Sequence, residues 1–210
     1  MRRLIAAICT WLFAAVMQPV YAGAQKYEPL AASVQAAMQE SIFEKGNVGS
    51  EFITDEEKTR WLAEMSLRLK EKIPNNASRI RFLKTVHYEA KRAGLDPQLV
   101  LGLIQVESNF RKYAVSRAGA RGYMQVMPFW IKLIGKKEHN LFHLRVNLRY
   151  GCTILRHYLD IEHGSLYRAL GRYNGSLGKS RYPNLVRAAW QDKWAWRAPQ
   201  KDSTVLSSTP

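Results

Sequence analysis

Glu107 is the residue of this chain best placed to do chemistry. It closes an apolar run, with Val100, Leu103 and Ile104 lying seven, four and three positions before it. If the run is helical, that spacing puts the carboxyl group on the apolar face. A carboxylate there is costly unless it is paired, hydrogen-bonded or protonated. Partial burial is expected to raise its pKa and leave an acid able to give up a proton near neutral pH. The alternative is an acid near a helix end that simply turns out to water. Ser108 and Asn109 follow, and then a glycine-punctuated stretch from Ser116 to Pro128 carrying Met124, Gln125 and Met127. A polar, methionine-lined loop beside a half-buried acid is one way to build a groove for a polar ligand.

A second acid is hard to find. Hydrolytic glycosidases of the usual kind need two carboxyl groups. After Glu107 the acids are Glu138, Asp160, Glu162, Asp192 and Asp202. Between Arg111 and Tyr150 nine Lys and Arg residues face Glu138 alone, and Lys136-Lys137-Glu138-His139 looks like a solvated turn. If Glu107 cleaves a sugar bond, it must serve as both acid and base, and the nucleophile must come from the substrate.

Helices are expected to position these groups. Asp96-Pro97 is a strong start signal, an N-cap acid followed by proline at the first helical position, and predicts a helix from Pro97 to about Phe110. Upstream, Val34 to Phe43 is a weak candidate. Thr54 and Glu57 fit a capping box before Trp61, Leu62, Met65, Leu69 and Ile73, with Pro74 as the stop. Ser78 is expected to cap the next helix, which ends at Gly94. Further helices fit Phe129 to Ile134, Arg145 to Ile161, Ser165 to Gly171 and Pro183 to Trp196. No stretch alternates as a strand should.

The chain has 210 residues and a hydrophobic share of 47%, which suits one helical domain with trimmings. Its formal charge of +15 suits an anionic partner. Residues 1–24 combine a basic start, an apolar run and small-residue sites ending at Ala22 and Ala24, the pattern of a secretory signal. Export points to the periplasm and away from nucleic acid, with no membrane attachment indicated after cleavage. Cys9 sits inside the apolar run and does not fit a lipoprotein site. Cys152 falls in an apolar helical stretch and reads as a buried small hydrophobe. The five histidines lack the spacing of a closed metal site, so neither metal nor cofactor is expected. Trp190 and Trp194 sit at helical spacing and read as packing. Residues 25–77 form an N-terminal leader with helices, and the tail 199–210 is expected to fray.

Glu107-Ser108-Asn109-Phe110, Ser116, Gly119-Ala120, Gly122-Tyr123-Met124-Gln125-Val126-Met127-Pro128 and Tyr173-Asn174-Gly175 resemble, in order and spacing, the soluble lytic transglycosylase domain. The resemblance implies an all-α, lysozyme-like catalytic domain over residues 78–198 with a glycan-binding groove. It implies cleavage of the MurNAc to GlcNAc bond of peptidoglycan glycan strands, with Glu107 as the single acid and then base, and a 1,6-anhydro product. Ser116 and Gln125 match residues that hydrogen-bond the sugars. Met124 and Met127 match a groove-forming stretch. Tyr173 matches a tyrosine that orients the acid or the substrate, and Asn174 matches a sugar- or turn-binding residue. Tyr182 reads as packing. The role implied is wall remodelling, or opening the wall for an envelope-spanning machine.

Three positions depart from the family's pattern: Tyr123 stands where leucine is usual, Phe129-Trp130 where threonine follows the Met-Pro, and Gly175-Ser176 where Ala-Gly is common. They bear on substrate preference and rate more than on reaction type. Three other classes stay open on the residues alone. They are a water-using muramidase with a second carboxylate, a peptidoglycan-binding module without turnover, and a basic nucleic-acid binder.

Overall fold

The computed structural model describes residues 25–44 and 56–197. The expected signal segment, Thr54 of the capping box and the expected frayed tail lie outside the described residues. The described residues form eight α-helices in order: α1 Ala32–Phe43, α2 Glu56–Leu69, α3 Asn76–Arg92, α4 Pro97–Ser108, α5 Phe129–Ile134, α6 Leu144–Ile161, α7 Leu166–Asn174 and α8 Arg181–Ala188. A π-helical segment, Ala189–Trp194, continues α8. Among the described residues there is no strand, only isolated bridges pairing Arg121 with Val115 and Val126. The fold is all-α, as expected.

Helix α4 is the buried centre. Every residue from Leu99 to Ile104 is buried, and the helix packs against α3, α8 and the π-helical segment. Its start is held as the Asp96-Pro97 pair predicts: Gln98 N donates to Asp96 Oδ1 at 2.7 Å. Its end turns through left-handed backbone at Asn109 and Phe110, which releases the chain into the loop 111–128. Gly102 lets the π-helical segment come close. A Cβ there would stand 2.8 Å from Trp190 N and 3.0 Å from its Cα.

Several boundaries move. The cap of α3 is Asn75, not Ser78: the Ser78 N–H donates to Asn75 Oδ1 at 2.9 Å. Helix α2 ends at Leu69, short of Pro74, because the buried Arg79 claims the turn. Its guanidinium donates to the Ile73 and Pro74 carbonyls and to Ser66 Oγ. Helix α7 runs on to Asn174. The stretch read as one helix from Pro183 to Trp196 runs without interruption from Arg181 to Trp194, changing from α-helical to π-helical after Ala188. The carbonyls at that segment's C-terminal end, Lys193 O and Ala195 O, accept from Arg68 Nη1.

A buried ion cluster ties α1 to this centre. Glu89, fully buried on α3, accepts from Arg92, Arg145 and Arg149 at 2.9 to 3.3 Å. Arg149 also donates to Ile42 O at 3.2 Å and to Glu44 O. Arg92 donates to Ser41 O at 3.0 Å and to Thr153 Oγ1 at 3.0 Å. Helix α1 has no basic residue in its own last turn. Cations from α3 and α6 therefore satisfy its terminal carbonyls and its dipole. Met38 and Ile42 complete the docking.

Removing one partner of a buried ion cluster strands the others. Glu89→Ala is expected to cost about 3–5 kcal/mol in urea unfolding. Removing the exposed Arg60–Glu56 pair by Arg60→Ala is expected to cost under ~0.5 kcal/mol.

Candidate active site

Glu107 is fully buried at the last turn of α4, as its place on the face of Val100, Leu103 and Ile104 predicts. The Tyr182 hydroxyl, on α8, donates to Glu107 Oε1 at 2.5 Å. Burial pushes the Tyr182 phenol well above its ordinary pKa, and the neighbouring Glu107 charge and their hydrogen bond push it the same way. The phenol therefore stays a donor. The reading of Tyr182 as packing is corrected here, because its hydroxyl holds the acid. The Tyr173 hydroxyl donates to Met124 O at 2.8 Å. Tyr173 still lies within reach of the acid's charge, which adds to burial in raising its pKa.

The other buried or half-buried carboxylates of α3, α4 and α6 are committed elsewhere. Glu89 holds three guanidiniums. Asp96 caps α4 and accepts from Trp190 Nε1 at 3.0 Å. Glu162 is gripped by Arg168 and Arg172, which hold it below the usual carboxylate range. Glu138, Asp160 and Asp192 are exposed.

The loop 111–128 has almost no regular structure; backbone bonds such as the reciprocal pair between Arg121 and Val126 hold part of it, and side chains satisfy more of its backbone. Asn147 of α6 is the main support. Its Oδ1 accepts from Met124 N at 2.8 Å, and its Nδ2 donates to Arg121 O at 2.8 Å and Leu141 O at 2.9 Å. Gly122, at positive φ, lies against this amide. A Cβ there would meet Asn147 Nδ2 and Leu141 O at 2.5 Å. Sequence reasoning missed Asn147, because a polar residue inside a helical stretch gives no sign of where its amide points.

The residues expected to touch sugar divide in two. Met124, Gln125 and Tyr173 are fully buried, and their contacts lie within or against the loop. Met124 packs its sulfur against Gly151. Gln125, at φ +48°, donates from Nε2 to Gly122 O at 2.9 Å and Ala114 O at 3.1 Å. Its Oε1 is buried with no described hydrogen-bond donor. Ser116, Met127 and Asn174 are half-buried. Ser116 Oγ accepts from Ala120 N at 3.1 Å. Trp194 is buried and donates to Gln105 Oε1 at 2.7 Å, a packing role. Cys152 is buried, and burial raises its thiol pKa far out of the reactive range.

Comparison with known proteins places this geometry. The profile of the Transglycosylase SLT domain matches residues 84–196, more than half the chain. The chain is 52% identical over 48 residues to a membrane-bound lytic murein transglycosylase C of Actinobacillus pleuropneumoniae, covering 23% of this chain and 13% of that protein. It is 46% identical over 48 residues to the protein of the same name from Haemophilus influenzae, with the same coverage. It is 31% identical over 103 residues to the transglycosylase of Enterobacteria phage PRD1, covering 49% of this chain and 38% of that protein. The chain thus spans well under half the length of these relatives.

Because Asn147 serves three backbone groups at once, Asn147→Ala is expected to cost about 2–4 kcal/mol in urea unfolding. It should also speed exchange of the Met124 amide hydrogen. A loss below ~0.5 kcal/mol would mean that the loop is held by other contacts.

Proposed function

The chain belongs to the transglycosylase SLT domain family, and we propose that it is a lytic transglycosylase that cleaves the MurNAc-β-1,4-GlcNAc bond of peptidoglycan without water. The observation that carries this reading is Glu107. It is a fully buried carboxyl group hydrogen-bonded to a phenol, whereas Glu89, Glu162 and Asp96 are engaged by arginines or a helix start.

In the first step Glu107 gives its proton to the glycosidic oxygen, and the C1–O bond breaks. GlcNAc leaves as the alcohol, and the N-acetyl group of the muramoyl residue steadies C1. In the second step the Glu107 carboxylate takes the proton of the C6 hydroxyl of the same sugar, whose oxygen closes onto C1. The product is a 1,6-anhydro-MurNAc end, Glu107 is protonated again, and no water is consumed. One carboxyl group suffices because the nucleophile lies in the substrate.

Tyr182 holds one oxygen of Glu107, fixing the plane in which the carboxyl group meets the bond to be cut. Ser116, Met127 and Asn174 are the proposed sugar contacts. Gln125 shapes the loop, and its Oε1 is a buried acceptor that a water or a sugar hydroxyl would complete. The signal-like pattern of residues 1–24 supports action in the periplasm, and cell-wall remodelling is the role we assign. The wild-type chain and Glu107→Gln, incubated with purified peptidoglycan, provide the test, with products read by mass spectrometry. Anhydro ends, one water lighter than hydrated ends and absent with Glu107→Gln, are the expected result. Reducing ends would mean hydrolysis and overturn the mechanism. A folded wild type that binds glycan without turnover would overturn the activity.

Tyr182→Phe is expected to lower kcat about tenfold, equal to roughly 1.4 kcal/mol, with KM little changed. The raised pKa keeps the Tyr182 proton in place beyond its ordinary value of 10.0. A fall of kcat on the alkaline side below that pH should therefore persist in Tyr182→Phe, because it does not come from loss of the phenol's proton.

A further inference from the structure

We infer that Gln25, far upstream of the segment shared with the family, is a positioning residue that clamps the Met124–Met127 loop in its working geometry. The inference rests on the proposed function for what the loop does, and on direct contacts for how it is held.

Gln25 is a polar residue in an extended segment, yet it is buried to 3% exposure. Its Nε2 donates to Gln125 O at 3.2 Å, and its Oε1 accepts from Met127 N at 3.0 Å. One amide side chain thus satisfies both backbone groups that flank Val126, as a neighbouring strand would. The same side chain lies close enough to Tyr173 to oppose the rise in its pKa. Tyr173 in turn holds Met124 O. Gln25 therefore touches both motifs that the sequence singles out, Met124–Pro128 and Tyr173-Asn174.

The residues after Gln25 hold it there. Tyr27 meets Phe129 edge-on at 5.7 Å between centroids. Glu28 pairs with Arg172 at 3.3 Å, and Arg172 also grips Glu162. Each anchor falls next to a site motif: Phe129 follows Pro128, and Arg172 precedes Tyr173. The segment 25–28 is a strap across the back of the loop. Its contacts are mostly polar and directional, so Gln25 acts through geometry more than through bulk.

The two kinds of role give opposite orders of activity in two substitutions. Gln25→Leu keeps size and removes donor and acceptor. Gln25→Asn keeps both groups and loses one methylene. Each is made in the full chain, checked for folding by urea denaturation, and assayed for kcat and KM on purified peptidoglycan beside wild type and Glu107→Gln. The Met127 amide is followed by hydrogen exchange.

Positioning predicts that Gln25→Leu loses about tenfold or more in kcat/KM. It also predicts that Gln25→Asn recovers part of that loss, and that Met127 exchange is faster in Gln25→Leu than in Gln25→Asn. Packing predicts the reverse order, with Gln25→Leu close to wild type, and that result would overturn the inference. Anhydro products from wild type, absent with Glu107→Gln, together with unchanged turnover in Gln25→Leu, would sink the clamp and leave the proposed function standing. No anhydro product from wild type would sink the proposed function. Unchanged Met127 exchange in Gln25→Leu would then still refute the clamp.

Discussion

A carboxyl group at zero exposure inside packed helices is expensive, and much of this molecule is organised around housing Glu107. It needs a rigid helix to carry it and a donor to hold it. Helix α4 supplies the first, since it is buried along nearly its whole length and anchored at its start by Asp96. Tyr182 supplies the second from a helix that follows 75 positions later in the chain.

The chain treats its buried acids in contrasting ways, and the contrast separates structure from chemistry. Glu89 receives three guanidiniums. Its work is to bind α3, α6 and the end of α1 into one body. Glu162 is held the same way by Arg168 and Arg172. Glu107 accepts from the Tyr182 phenol.

Local signals are legible in the residues themselves, and long-range ones are not. The Asp96-Pro97 start, the apolar face of α4 and the burial of Glu107 follow from spacing within a dozen residues. Tyr182, Asn147 and Gln25 act across 75, 23 and 100 positions, and no periodicity reports such contacts. Tyr173 and Tyr182 show the difficulty plainly. Both are buried tyrosines near the acid, and only the placement of their helices decides which hydroxyl reaches it. The change from α-helix to π-helix after Ala188 leaves no trace in the residue pattern for the same reason. It goes with the close approach of Trp190 to Gly102, a contact between elements far apart in sequence.

The positions where the chain departs from its family's usual pattern acquire a physical reading in this frame. Tyr123 is half-buried, with its ring 4.9 Å from that of Phe82 on α3, and burial raises its pKa. Phe129 lies 5.2 Å from Trp130 and meets Tyr27 of the strap. The loop has backbone bonds of its own, the Arg121 and Val126 pair among them, and side chains contributed by its neighbours add to them. Aromatic rings flank the Met124–Met127 stretch, Tyr123 against α3 and Phe129 against the strap. These rings therefore act on how firmly the loop is held.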